Sequence, residues 1–121
     1  MNNKYFKYKD YTKCYFEVGN YLNNPQAMSI VIKNINGNFE MVISVNKPDY
    51  LYYPDTATIK NYSECAGATK FLKKLGVIEE IYSSVKAHSL ASEKETIDYC
   101  AINVEKLKQY SRKFIYEWNF K

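Results

Sequence analysis

The chain has 121 residues, of which 46% are apolar, so it can bury one hydrophobic core but is too short for two ordinary domains. Its formal net charge of +4 is too small for a strong electrostatic footprint on nucleic acid. No apolar run approaches the roughly 18 residues that span a bilayer, and the polar, Tyr-rich N-terminus lacks the apolar segment of a secretory signal. We therefore expect one soluble, intracellular domain comprising residues 1–121.

Two antiparallel strands are predicted at the N-terminal end. Residues 4–8 and about 11–22 are rich in aromatic side chains, which strands favour, and Lys9-Asp10 can form the turn between them. The run Asn23-Asn24-Pro25 then turns the chain into a third strand near Ala27.

A β-hairpin is predicted from Met28 to Val45, where two alternating strands meet across Asn36-Gly37. This dipeptide suits a two-residue type I′ turn, because both central residues need positive φ. The resulting register pairs Lys33 with Glu40, two side chains of opposite charge. It also collects one apolar face, made of Met28, Ile30, Ile32, Phe39, Met41, Ile43 and Val45. Together with the two preceding strands, the hairpin predicts a four-stranded meander.

A loop, a strand and a helix are predicted next. Residues 46–55 hold two prolines and three tyrosines, and proline cannot donate to a central ladder. Residues 56–60 favour a strand, and residues 63–75 have helical spacing that Gly76 ends. Three lysines lie off the apolar stripe of this helix. The pattern favours a solvated helical face over a phosphate-binding patch for Lys70, Lys73 and Lys74.

The C-terminal part predicts a surface excursion, a last strand and a closing helix. Residues 77–95 carry loop-forming serines around His88, and residues 96–102 alternate as a strand does. Asn103 is a good N-cap for a helix over residues 104–117. The predicted fold class is α+β: an antiparallel sheet of four to six strands with two helices, about 63–75 and 104–117, packed on one face.

Four segments carry a resemblance to a known family. They are Tyr21-Leu22-Asn23-Asn24, the hairpin ending in Ile43-Ser44-Val45-Asn46, residues 61–75 with Cys65, and Ile102-Asn103-Val104-Glu105-Lys106-Leu107. Together they resemble a family of small accessory proteins encoded by phages and conjugative elements of Firmicutes and Bacteroidetes, which are anti-CRISPR-like in size and context. The resemblance implies a cytoplasmic inhibitor of a host defence system, and it carries over no catalytic residue.

Catalytic and cofactor chemistry find little support in the sequence. The chain contains no Cys-x-x-Cys pair, no Gly-rich phosphate loop and no calcium-loop pattern, so we expect neither a metal nor a cofactor. Cys14, Cys65 and Cys100 are predicted to be buried, poorly reactive thiols. An enzyme that uses His88 with Cys65 or Cys100 is the weakest of the functional hypotheses, and non-enzymatic function is favoured.

Two binding hypotheses remain. The leading one is stoichiometric binding to a host defence protein, such as a CRISPR effector component, by a monomer or homodimer. Interfaces enrich aromatic residues, so the predicted partner-binding residues are Tyr50, Tyr52 and Tyr53 in the Pro-bounded loop, although two of them can instead pack over the sheet edge. The alternative is binding of single-stranded nucleic acid by an aromatic and cationic strand surface. Its predicted residues are Tyr5, Lys7, Tyr8, Lys9 and Tyr11.

Overall fold

Two sheets and two short helices make up the part of the chain that the structure, a computed structural model, describes, namely residues 4–118. The elements in chain order are β1 (Phe6–Tyr8), β2 (Tyr11–Tyr21), β3 (Asn24–Asn34), β4 (Glu40–Val42), β5 (Thr56–Asn61), α1 (Ala68–Leu75), β6 (Ile78–Lys86), β7 (Thr96–Ile102), α2 (Val104–Gln109) and β8 (Ser111–Phe114). A short 3₁₀ helix, Ser63–Cys65, precedes α1. The predicted α+β class is confirmed.

The first sheet has five strands, and β1 to β4 follow one another as the antiparallel meander that the sequence predicts. β8 lies parallel to β2, beside the part of β2 that β1 leaves unpaired. The second sheet has the strand order β5-β7-β6. A bridge between Ser44 and Ile59 joins the chain just after β4 to β5, so the two sheets are connected through the backbone.

The central hairpin has the predicted register but a different turn. Val31 pairs with Val42, and Lys33 pairs with Glu40, whose side chains form an ion pair at 3.6 Å. The predicted two-residue turn is wrong, because residues 35–39 separate the strands. The side-chain oxygen of Asn34 accepts hydrogen bonds from the backbone N–H groups of residues 38 and 39, at 3.2 and 3.1 Å. This side chain substitutes for the missing ladder bonds and stabilises the wider loop.

The segment from Val77 to Glu95 is where the predicted surface excursion is wrong. Residues 78–86 form β6, an edge strand of the second sheet whose side chains are exposed after the first residue. A strand that is exposed on both faces carries no apolar alternation, so the period of its sequence cannot reveal it. The irregular part of this segment is Val77 and residues 87–95.

The predicted closing helix over residues 104–117 is also wrong beyond its first turns. Asn103 caps α2 as expected, since its side chain accepts from the Lys106 N–H at 3.0 Å. The helix ends at Gln109, and β8 follows. Phe16 N–H donates to the Tyr110 carbonyl at 2.8 Å, and Ile115 N–H donates to the Val18 carbonyl at 2.9 Å. These bonds satisfy β2 backbone groups that would otherwise lack partners, which favours a strand here over further helix.

The helix that begins near Ser63 is shorter than predicted. Gly67, with φ of 88°, separates the 3₁₀ helix from α1, so α-helical geometry begins only at Ala68. Gly76, with φ of 90°, ends α1 as the sequence predicts, and its N–H bonds the carbonyls of the last turn. α1 packs against β5 and β6.

One hydrophobic core lies between the inner faces of the two sheets and the helices. Leu72 of α1 and Leu107 of α2 are fully buried in it, and so are all three cysteines, as predicted. The fully buried strand residues include Phe16, Ile30, Ile32, Ile43 and Ile59. Neither helix within residues 4–118 has the length and apolarity needed to cross a bilayer.

Candidate interaction surfaces

Tyr52 anchors the Pro-bounded loop to the outer face of the second sheet. It is only 1% exposed, so the expectation that it lies on an exposed loop surface is wrong. Its hydroxyl lies 2.7 Å from the Thr58 hydroxyl and accepts from the Lys47 N–H at 3.1 Å. These bonds let the phenol group be buried without losing its hydrogen-bond partners. Burial raises the pKa of Tyr52 above its ordinary value.

Tyr99 of β7 holds the rest of the loop. Its hydroxyl donates to the Leu51 carbonyl at 3.1 Å and accepts from the Tyr53 N–H at 3.2 Å. The Tyr99 ring lies 5.9 Å from the ring centroids of both Tyr50 and Tyr52, in edge-to-face arrangements. The backbone of the loop is therefore fixed at residues 51 and 53 by a side chain of the sheet beneath it.

An exposed aromatic and apolar patch surrounds this anchor. Tyr53 is 58% exposed and Tyr82 of β6 is 55% exposed, and the Tyr82 ring lies 5.8 Å from the Tyr99 ring. Val85 pairs with Ile97, two residues from Tyr99, so its exposed side chain lies on the same face of the sheet. We call this patch the tyrosine surface: Tyr50, Leu51, Tyr53, Tyr82, Val85 and Tyr99.

Sequence reasoning missed Tyr82 and Tyr99 as members of this patch. The alternation of β7 already separates Tyr99 from Asp98 and Cys100, so the sequence carried a signal for its orientation. No comparable signal exists for Tyr82, since β6 has no apolar period and its pairing register shifts between Ile81 and Ser83. Only the neighbouring strand brings Tyr82 beside the loop.

Two of the five predicted nucleic-acid-binding residues pack inward. Tyr8 is buried beside Phe6, because alternate residues of β1 face the same side. Tyr11 stacks on Phe39, with ring centroids 4.1 Å apart. The prediction that Tyr8 and Tyr11 present free rings is therefore wrong, whereas Lys7 and Lys9 are exposed and Tyr5 is 39% exposed.

A different set of groups forms the outer face of the first sheet. The Tyr5 and Tyr15 rings lie 6.4 Å apart, and the Arg112 guanidinium lies 5.1 Å from the Tyr15 ring centroid. Lys7 points outward, because its neighbours in β1 point into the core. We call Tyr5, Lys7, Tyr15 and Arg112 the basic sheet face. At its border Lys33 pairs with Glu17 at 3.0 Å, and the hydrogen bond to Glu17 raises the pKa of Lys33.

The cysteine thiols and the histidine differ in their exposure to solvent. Cys65 and Cys100 are fully buried, whereas His88 is exposed. Burial raises the pKa of each cysteine thiol, that of Cys100 to about 12, so these thiols stay protonated near neutral pH. Within residues 4–118 no three His, Cys, Asp or Glu side chains are grouped so that they could hold a metal ion.

No family model matches the sequence, and neither a curated protein nor a solved structure is detectably similar to it. The family resemblance inferred from the sequence therefore stays a prediction.

Proposed function

We propose that the protein acts by binding a partner protein stoichiometrically through the tyrosine surface. The observation that carries the proposal is the exposure of two tyrosine rings: Tyr53, whose backbone N–H bonds the Tyr99 hydroxyl, and Tyr82, whose ring lies against that of Tyr99. Exposed apolar and aromatic patches mark interaction sites more often than isolated apolar residues do. Tyrosine is also enriched among the residues that contribute most of the binding energy at protein interfaces.

The anchoring of the loop supports the same function. The Tyr99 hydroxyl donates to the carbonyl of residue 51 and accepts from the N–H of residue 53, so the backbone that carries Tyr53 is held before a partner arrives. A preorganised aromatic side chain loses little conformational entropy on docking, so more of its buried area contributes to affinity. The ammonium group of Lys47, 5.9 Å from the Tyr50 ring centroid, gives the patch a cationic border.

The partner that we propose is a host defence protein, with a CRISPR effector component as the first candidate. The support for this identity is the family resemblance of the sequence, which implies a phage- or mobile-element-encoded inhibitor. The tyrosine surface adds the requirement that the partner offers an apolar depression with carbonyl or carboxylate oxygens that can accept from tyrosine hydroxyl groups.

Isothermal titration of purified CRISPR effector complexes with this protein tests the proposal. The double substitution Tyr53→Ala with Tyr82→Ala should weaken binding at least about tenfold, because truncation of an interface anchor is costly. Lys7→Ala with Arg112→Ala, on the other sheet, is the matched control and should bind normally. Absence of a complex, including with defence components captured from host lysate, would remove the inhibitor proposal. Normal binding by the tyrosine variant would exclude this surface.

The second candidate function is binding of single-stranded nucleic acid through the basic sheet face. The observation that favours it is the cluster of two partly exposed rings, Tyr5 and Tyr15, with Arg112 over one of them. Bases can stack on such rings while cations contact the phosphates. Retardation of labelled single-stranded DNA and RNA should weaken steeply with salt and be lost in Tyr15→Ala with Arg112→Ala. No retardation at low salt would remove this candidate.

A further inference from the structure

A cleft of about 620 Å³ lies between α1 and the inner side of the second sheet. This side carries Asp98 of β7 and is opposite to the tyrosine surface, because Asp98 and Tyr99 are successive strand residues. The volume falls within the range of small-molecule sites, about 300–1,000 Å³. The cleft is separate from both surfaces described above, and it brings together polar groups from α1, β6, β7 and the loop that follows β6.

The floor of the cleft is a buried carboxylate with two hydroxyl donors. Asp98 is 3% exposed, and one of its carboxylate oxygens accepts from the Thr69 hydroxyl at 2.6 Å. The other accepts from the Ser84 hydroxyl. Because Ser84 donates its proton to Asp98, its oxygen remains available to the cleft only as an acceptor. The floor therefore suits the O–H or N–H donors of a ligand.

The rim of the cleft is cationic. Lys70 and Lys73 extend from successive turns of α1, and Lys94 extends from the loop after β6. None of the three forms an ion pair with a carboxylate among the described residues, although Glu93 also lines the cleft. Lys74 is exposed on the same helix but does not line the cleft. Lys70 and Lys73 therefore line the cleft, whereas Lys74 does not.

A side chain covers part of the N-terminus of α1. The side-chain oxygen of Asn61 accepts from the N–H groups of Gly67 and Thr69, at 3.0 and 3.4 Å. These are backbone donors that an anion at a helix N-terminus would otherwise use. Two backbone donors at this helix end are thus already paired, and the lysine side chains at the rim are the positively charged groups that line the cleft.

We propose that this cleft binds a small phosphorylated ligand with free hydroxyl groups, the chemical class of sugar phosphates and nucleoside monophosphates. The lysines at the rim bind the phosphate group as point charges. The oxygen acceptors of Ser84 and Asp98 at the floor receive the hydroxyl protons. Ile81, Ala66 and the methylene stems of the lysines supply the apolar walls that such a ligand packs against.

Titration of the ¹⁵N-labelled protein followed by NMR tests the proposal with four probes: ribose 5-phosphate, adenosine monophosphate, inorganic phosphate and ribose. Both phosphorylated sugars should bind saturably and shift amide signals of the lining residues. Inorganic phosphate should bind more weakly, and ribose should not bind. No saturation by either phosphorylated sugar below about 10 mM would overturn the proposal.

Matched variants separate a built site from general attraction to a basic protein. Lys70→Ala with Lys73→Ala should weaken ribose 5-phosphate binding at least about tenfold, while Lys74→Ala should leave it unchanged. Ser84→Ala should weaken binding of ribose 5-phosphate more than that of inorganic phosphate. An equal loss in Lys74→Ala, or no selective effect of Ser84→Ala, would overturn the proposal. All the substituted residues are exposed, and thermal melting of each variant checks that it folds.

Discussion

The same substitution, tyrosine to phenylalanine, is expected to stabilise the fold at one buried position and to destabilise it at another. Tyr8 and Tyr52 are both almost fully buried, but their hydroxyl groups differ. That of Tyr52 bonds Thr58 and the Lys47 N–H, whereas that of Tyr8 has no hydrogen-bond partner within residues 4–118. Substitution by phenylalanine removes one oxygen atom at each position and leaves the ring in place.

The expected magnitudes follow from the cost of burying an unpaired polar group, about 1–3 kcal/mol in proteins. Tyr8→Phe removes such a group, so we expect the free energy of unfolding to rise by about 1 kcal/mol. Tyr52→Phe leaves the Lys47 N–H without its partner, so we expect the free energy of unfolding to fall by about 1–3 kcal/mol. The two variants should therefore differ by about 2 kcal/mol or more.

Urea denaturation measures both changes. For a slope of about 1–2 kcal/mol per molar urea, a change of about 1 kcal/mol moves the midpoint by about 0.5–1 M. The slopes of the variants should match that of the wild type, which shows that the unfolded state is unchanged. If Tyr8→Phe lowers the midpoint as much as Tyr52→Phe does, the Tyr8 hydroxyl is satisfied in solution and the reasoning fails.

Three further predictions concern stability. Folding raises the pKa of the Cys100 thiol from 9.0 to about 12, so the unfolded chain loses this proton at lower pH than the folded protein does. The free energy of unfolding should therefore fall as pH rises from 9 to 12. Denaturation measured across this pH range should show a shallower fall for a Cys100→Ala variant. Gly37→Val should lower the urea midpoint, because φ of 74° strains a β-branched residue, although nothing lies within 4 Å of the added Cβ; an unchanged midpoint would contradict this. Leu72→Ala should lower the free energy of unfolding by about 2–5 kcal/mol, because Leu72 is fully buried. Tyr53→Ala should change it by less than about 0.5 kcal/mol, because Tyr53 is exposed. Comparable losses in the two variants would mean that Tyr53 belongs to the core.

The sequence by itself determined the features that depend on neighbouring residues. Three sequence-based predictions of this kind agree with the structure: the pairing of Lys33 with Glu40 in the hairpin, the bounds of β7, and the N-cap of α2 at Asn103. Period-two alternation, charge pairing across a turn and the backbone donors of a helix end are all local requirements. Such requirements can be recognised in the sequence without knowing how the rest of the chain folds.

Tertiary structure decided which of several locally acceptable structures forms and which rings are covered. The apolar spacing after Val104 suits a helix, but the open edge of β2 offers backbone partners that only a strand can use, so β8 forms. Tyr8 and Tyr52 resemble their exposed neighbours in sequence, yet Tyr8 packs against Phe71 of α1 and Tyr52 packs against Tyr99 of β7, both of which are far along the chain. The cleft at Asp98 likewise depends on α1, β6 and β7 meeting at one place. Contacts between residues far apart in the chain leave no period in the sequence, which is why these features appear only in the folded protein.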